Sequence, residues 1–144
     1  TAPGPDRPQL VVVGREPPPS AAPPGVVHAG PLDDLEWARV LAAAEAFVYP
    51  TRFEGFGMPA LEAAASGTPV VCAPVASLPE VLGDAAQWVE APTPEAMAAG
   101  LAALLASPEL GCVRRAAGLQ RAAVAPGWEA IAARTVAAYE RAAV

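Results

Sequence analysis

At 144 residues and 53% apolar, the chain is long and apolar enough for one domain with a core of its own. A net charge of −6, with arginine as the only basic residue apart from one histidine, argues against broad nucleic-acid binding, though not against one anionic ligand held locally. The two cysteines lack metal spacing and no apolar run reaches transmembrane length, which argues against a disulfide scaffold, a zinc module and a membrane span.

Thr1–Pro8 reads as a frayed end. Gln9–Gly14 is β-branched and closed by glycine, the pattern of a buried parallel strand. Glu16–Gly25 carries five prolines, which excludes a regular helix and predicts a shortened loop with polyproline character. Val26–His28 reads as a short strand, and Gly30-Pro31-Leu32 as a turn. His28 is the only histidine, so a histidine-based triad or metal cluster is not available, and a structural place at the strand end suits it better. Asp33 with Glu36 has capping-box spacing, and Leu35, Val40 and Leu41 give the helix that follows an inner face. The acids Asp33, Asp34 and Glu36 therefore read as a helix start rather than a metal site.

Ala46–Tyr49 reads as a buried strand that Pro50 ends. The next stretch, Phe53-Glu54-Gly55-Phe56-Gly57-Met58-Pro59-Ala60-Leu61-Glu62-Ala63-Ala64-Ala65, organises the chain. Gly55 and Gly57 free the loop to take unusual backbone angles. Pro59 suits the first helical position, and Ser66-Gly67 stops the helix. One glutamate thus stands on a strand-to-helix loop and another one turn into the helix, with a glycine-rich backbone and free helix N–H groups between them. Such a place can hold something anionic and hydroxyl-rich.

Pro69–Ala73 is another buried strand in which Cys72 serves as a small apolar residue. Ser77-Leu78-Pro79-Glu80 again has capping-box spacing. Ala86–Val89 reads as a last strand at a sheet edge, with Trp88 as a packing residue. Thr93-Pro94 and Ser107-Pro108 each pair a cap with a proline at the helix start. Met97, Leu101, Leu104 and Leu105 form an apolar stripe. Arg114, Arg115 and Arg121 read as a solvated face rather than a membrane-binding one. Trp128, Ile131, Thr135, Val136 and Tyr139 form a stripe on the last helix that must bury against something. Strands alternating with helices, followed by helices, predict an α/β fold: a Rossmann-like, doubly wound parallel sheet with helices on both faces.

The stretch from Glu54 to Glu62 resembles the E-x7-E pattern of retaining glycosyltransferases of the GT-B fold, nearest glycosyltransferase family 4. Tyr49-Pro50-Thr51, Gly67-Thr68-Pro69-Val70-Val71, Leu78-Pro79-Glu80-Val81 and Gly83-Asp84-Ala85 extend that resemblance to the chain from about Leu10 onward. It implies a C-terminal, donor-binding half of such an enzyme. Glu54 would contact the donor sugar as the catalytic residue, Glu62 would hold ribose hydroxyls, and the amides of Gly55, Phe56, Gly57 and Met58 would face the sugar and diphosphate. The donor would be a nucleotide-diphosphate sugar, with no cofactor and no protein-held metal. The implied setting is cytoplasmic or at the inner face of the membrane, with peripheral membrane contact made by the other domain and no nucleic acid as partner.

The chain departs from the family pattern at three places. The proline segment stands where relatives have a helix, Pro31 removes a donor from the backbone near the nucleotide base, and Ala76-Ser77 replaces a glycine pair. The lysine and arginine that the family places on the domain's first strand-helix unit are also missing, and no such unit precedes Gln9. A nucleotide-sugar-binding module without turnover is therefore the alternative. In the order 3-2-1-4-5-6, residues 10–13, 26–28, 46–49, 69–72 and 86–89 supply the second to sixth strands. The first would lie between 10–13 and 46–49, so residues 1–144 are expected to be a donor-binding domain incomplete at its N-terminus. Residues 127–144 are expected to pack toward an N-terminal, acceptor-binding domain.

Overall fold

The computed structural model describes residues 8–15 and 22–143. The expected frayed end, save Pro8, and most of the proline segment lie outside the described residues. The chain divides into two compact units, residues 1–40 and 41–144.

In the first unit, β1 (Leu10–Val13) and β2 (Val26–Gly30) pair in parallel, Leu10 opposite Val26 and Val12 opposite His28. β1 is not the buried strand expected. Leu10 and Val11 are exposed, as is Val27, because a two-stranded ladder leaves much of its surface uncovered. α1 (Asp34–Ala43), whose residues from Leu41 onward belong to the second unit, begins with the predicted capping box. The amide of Glu36 donates to Asp33 Oδ1 at 2.8 Å, and that of Asp33 donates to Glu36 Oε2 at 3.1 Å. Leu35, expected on the inner face, is exposed.

In the second unit, β3 (Phe47–Tyr49), β4 (Val70–Cys72) and β5 (Ala86–Trp88) form a parallel ladder in the order β3-β4-β5. Both ladders follow the predicted order. Only the central strand β4 is buried throughout; β3, expected to be buried, is half-buried because it forms one edge of the ladder. Successive strand residues point to opposite faces. Val71 and Ala73 join Val89, Met97 and Leu104 in one apolar cluster. Val70 and Cys72 face the other way and are just as buried, so helices cover both faces of β4. Burial raises the Cys72 thiol pKa to about 12, in keeping with its role as a packing residue.

The helices of this unit are α2 (Met58–Ala65), α3 (Leu78–Leu82), α4 (Pro94–Ala106), α5 (Pro108–Ala123) and α6 (Trp128–Ala142). α4 and α5 are capped as predicted, by Thr93 on the Ala96 amide and Ser107 on the Leu110 amide. Small residues let these helices approach closely. A Cβ at Gly100 would lie 2.3 Å from Val89 Cγ1, and one at Gly118 would lie 2.8 Å from the Ala64 carbonyl oxygen. The buried Thr68 hydroxyl donates to the Leu41 carbonyl.

The arginines of α5 are a solvated face only in part: Arg115 and Arg121 are exposed, but two of the three also bond to carbonyls. Arg114 Nη1 donates to the Asp84 carbonyl and Arg121 Nε to the Val81 carbonyl, both at 2.8 Å. They thus satisfy carbonyls at the end of α3 and in the 3₁₀ turn Gly83–Ala85 that follows it. Trp88 packs as expected, its indole N–H donating to the Gly83 carbonyl at 3.1 Å. α6 has no buried residue, and Trp128 and Tyr139 are 83% and 72% exposed, so its stripe is not covered within the described residues. No single helix among the described residues is long and apolar enough to cross a membrane.

Two glycines of one helix separate close packing from backbone freedom. Gly118→Ala should lower stability by about 1–3 kcal/mol, because the backbone oxygen it meets cannot yield as a side chain can. Gly111 faces open space, so Gly111→Ala should raise stability by about 0.5–1 kcal/mol. Urea unfolding of the two variants would measure both, and equal effects would rule out the close α2–α5 approach.

Candidate functional site at the β3–α2 loop

Parallel sheets bind their ligands beyond the carboxyl ends of the strands. β3 ends at Tyr49, and the chain leaves that edge through residues 50–57 to enter α2. Thr51 Oγ1 donates to the Phe53 carbonyl at 2.7 Å, closing a tight turn just before Glu54. Phe53 itself projects into solvent, 82% exposed.

The Glu54 carboxylate is held at both oxygens. Oε2 accepts the Tyr49 hydroxyl, and Oε1 accepts the Gly55 amide at 3.1 Å. The Tyr49 hydrogen bond foremost holds its pKa below the usual carboxylate value; desolvation, next in size, opposes it, and the amides of Gly55, Phe56 and Gly57 each add a smaller lowering effect. The Tyr49 hydroxyl responds in the opposite sense. Burial foremost, then the bond to and charge of Glu54, raise its pKa to about 12. Phe47, two residues back on the same face of β3, stacks on the Tyr49 ring with centroids 5.6 Å apart.

Gly57 turns the loop into the helix. Its φ of 96° is left-handed, and a Cβ there would lie 2.5 Å from Leu78 Cδ2. The Gly57 carbonyl then accepts the amides of Ala60 and Leu61 at 3.1 and 3.0 Å. Of the two glycines expected to take unusual angles, only Gly57 does so; Gly55 does not have a positive φ. Met58 opens α2, which puts Pro59 at the second helical position rather than the first. Glu62 is half-buried in the next turn of the helix.

The loop between β4 and α3 supports this one from the side. Ser77 does not cap α3 as its spacing suggested. Its hydroxyl donates instead to the Phe56 carbonyl at 2.8 Å, a partner 21 residues away that no local pattern reveals. Ala76 has a φ of 48° and is the only described non-glycine residue in the left-handed region. It stands where the sequence resemblance leads one to expect glycine.

The structure therefore gathers Glu54, Gly55, Phe56 and Gly57 around one carboxylate, with Met58 and Glu62 following on the helix. Tyr49 and Ser77, though noted in the sequence, were not among the predicted site residues. The position of Tyr49 at the carboxyl end of a strand, just before the organising stretch, was the available signal.

Such a strand edge, with a helix starting beside a fixed carboxylate, belongs to the doubly wound α/β proteins that bind ligands at their strand ends. Residues 4–107 match the family described as Glycosyl transferases group 1. The chain belongs to that family, and its fold is the C-terminal part of the GT-B architecture.

It is 42% identical over 123 residues to MMP alpha-(1->4)-mannosyltransferase of Mycolicibacterium hassiacum, covering 81% of this chain and 29% of that protein. It is 38% identical over 113 residues to O-antigen chain mannosyltransferase B of Escherichia coli, covering 78% and 29%. Among solved structures, sucrose-phosphate synthase from Thermosynechococcus elongatus superposes with a TM-score of 0.78 at 27% identity, over 92% of this chain and 38% of that one. The lipopolysaccharide glycosyltransferase WaaG shares the fold, with a TM-score of 0.69 at 21% identity over 85% and 35%. The chain spans under a third of the length of these curated relatives.

Left-handed geometry costs an alanine roughly 1–2 kcal/mol, and glycine returns part of that to the unfolded chain as entropy. Ala76→Gly is expected to stabilise the protein by about 0.5–1 kcal/mol, read as a higher urea midpoint. A lower midpoint would mean that the Ala76 methyl contributes packing that outweighs the strain.

Proposed function

We propose that this chain is the donor-binding half of a retaining glycosyltransferase that moves a sugar from a nucleotide-diphosphate sugar to an acceptor. The observation that carries this reading is the Glu54 carboxylate, held among backbone amides at a parallel-sheet edge in a chain of the Glycosyl transferases group 1 family.

In this reading Glu54 stays ionised and accepts hydrogen bonds from hydroxyls of the donor sugar, and Glu62 accepts those of the ribose. Hydrogen bonds to a charged group are worth roughly 1.5–3 kcal/mol each. A carboxylate has about four lone-pair sites, so Glu54 can keep Tyr49 and Gly55 and still accept from a sugar. In this reading the Gly55 amide stays on Glu54, while the amides of Phe56, Gly57 and Met58 face the diphosphate, where amides fixed in advance lower the barrier as charge develops. The departing phosphate takes the acceptor proton. The protein then needs no nucleophile of its own, no cofactor and no protein-held metal. An N-terminal domain supplies the acceptor site, and the uncovered stripe of α6 packs on it. The reaction is placed in the cytoplasm, with membrane contact left to that other domain.

The test is kinetic, in the full-length protein that carries this chain. Glu54→Ala should lower turnover by roughly 10²–10³, as expected when one transition-state hydrogen-bonding group is lost. Glu62→Ala should mainly raise the donor KM, because ribose contacts change little during the reaction. Near-normal turnover of the Glu54 variant would overturn the assignment.

A further inference from the structure

Tyr49 has a place in the site that packing alone does not explain. Its ring belongs to β3 and stacks on Phe47, yet its hydroxyl reaches forward over the strand end to the Glu54 carboxylate. That carboxylate stands on a loop with two glycines, on a side chain with three rotatable bonds. The Gly55 amide that binds its other oxygen belongs to the same loop and moves with it. Among the described residues, it is the Tyr49 hydroxyl that ties the Glu54 side chain to the sheet.

We propose that Tyr49 is the positioning residue for Glu54: its hydroxyl fixes the carboxylate at the sheet edge, ionised and with its remaining lone pairs turned to the donor sugar. This inference rests on the donor-site reading of Glu54. A glutamate able to sample several rotamers would meet the sugar correctly only part of the time. One held by a rigid aromatic side chain is in place before the sugar arrives, which is how preorganisation acts on a barrier. The hydroxyl donates here and does not itself ionise, since its pKa is raised to about 12. It touches no reacting atom, so its contribution passes through Glu54.

The bond also sets a pH dependence, because it is the largest influence lowering the Glu54 pKa. Besides the loop amides, the titratable groups acting on this pair are the two partners and the Cys72 thiol of β4, itself held protonated by burial. The sign follows. Glu54 is active when ionised, so activity is lost as pH falls through its pKa. Removing the hydroxyl raises that pKa, and the acid limb must move to higher pH.

Tyr49→Phe deletes only the hydroxyl and keeps the ring stack. In the full-length protein it should lower kcat by roughly tenfold, the low end of what one hydrogen bond to a charged group supplies. The donor KM should change little, and the acid limb of the kcat profile should shift upward. In a Glu54→Gln background the same change should cause no further loss. A wild-type kcat and acid limb in Tyr49→Phe, or losses that simply multiply with those of Glu54→Gln, would overturn the inference while leaving the donor-site reading intact. Wild-type turnover in Glu54→Ala would remove both. Should Tyr49→Phe fail to fold, carbon NMR of the Glu54 carboxylate in the unmutated protein decides: titration below the usual carboxylate range supports the bond, and titration at the usual value overturns it.

Discussion

The left-handed turn at Gly57 is the constraint on which the site depends. A parallel strand delivers the chain to the sheet edge, and the chain must then reverse into a helix within a few residues. With φ at 96°, Gly57 makes that reversal, and the Leu78 side chain fills the space that a Cβ would need. Several contacts follow from this one backbone angle. The Phe56 carbonyl is delivered to Ser77, the first amides of α2 close onto the Gly57 carbonyl, and the amides of residues 55–57 turn to the Glu54 carboxylate. The loop is thereby built by three elements: β3 through Tyr49, α2 through its first turn, and the β4–α3 connection through Ser77.

The scaffold under the loop is made of small residues. Ala60, Ala63 and Ala64 are the buried positions of α2, and Gly118 of α5 meets the Ala64 backbone directly. Alanine and glycine bury little area each, so the gain comes from close approach of backbones rather than from large side chains. That approach needs the helices held in register. Arg114 and Arg121 do so by reaching from α5 to carbonyls of residues 84 and 81. A guanidinium at a helix C-terminus satisfies an orphaned carbonyl and also opposes the negative end of the helix dipole.

Much of the architecture could be read from the residues. The strands at 10–13, 26–30, 47–49, 70–72 and 86–88 fall where β-branched and apolar runs stand between turn signals. The capping box at Asp33-Glu36 and the caps at Thr93 and Ser107 were visible because a cap involves only residues three or four apart. The order of the strands within each ladder followed from alternation of strand and helix. The position of Glu54 beyond a strand end followed from the same rule, as did Gly57 in a strand-to-helix turn.

What only the tertiary structure decided are the contacts between residues distant in sequence. Ser77 has perfect local spacing for a cap, yet its hydroxyl goes to Phe56, because the β4–α3 loop passes close to the β3–α2 loop. Arg114 and Arg121 look like a solvent-facing row until the ends of α3 and of the 3₁₀ turn appear beneath them. Strand burial was also misjudged: a run such as Leu10–Val13 has the apolar content of a central strand, but exposure depends on what lies against it. Tyr49 reads in sequence as the last apolar residue of a strand, and its hydroxyl has meaning only once the loop has brought Glu54 back over it. Local periodicity and capping are set by neighbours a few residues away, so the sequence determines them by itself. Partnerships across tens of residues depend on where the packed backbone places each element, and that is settled only when the chain has folded.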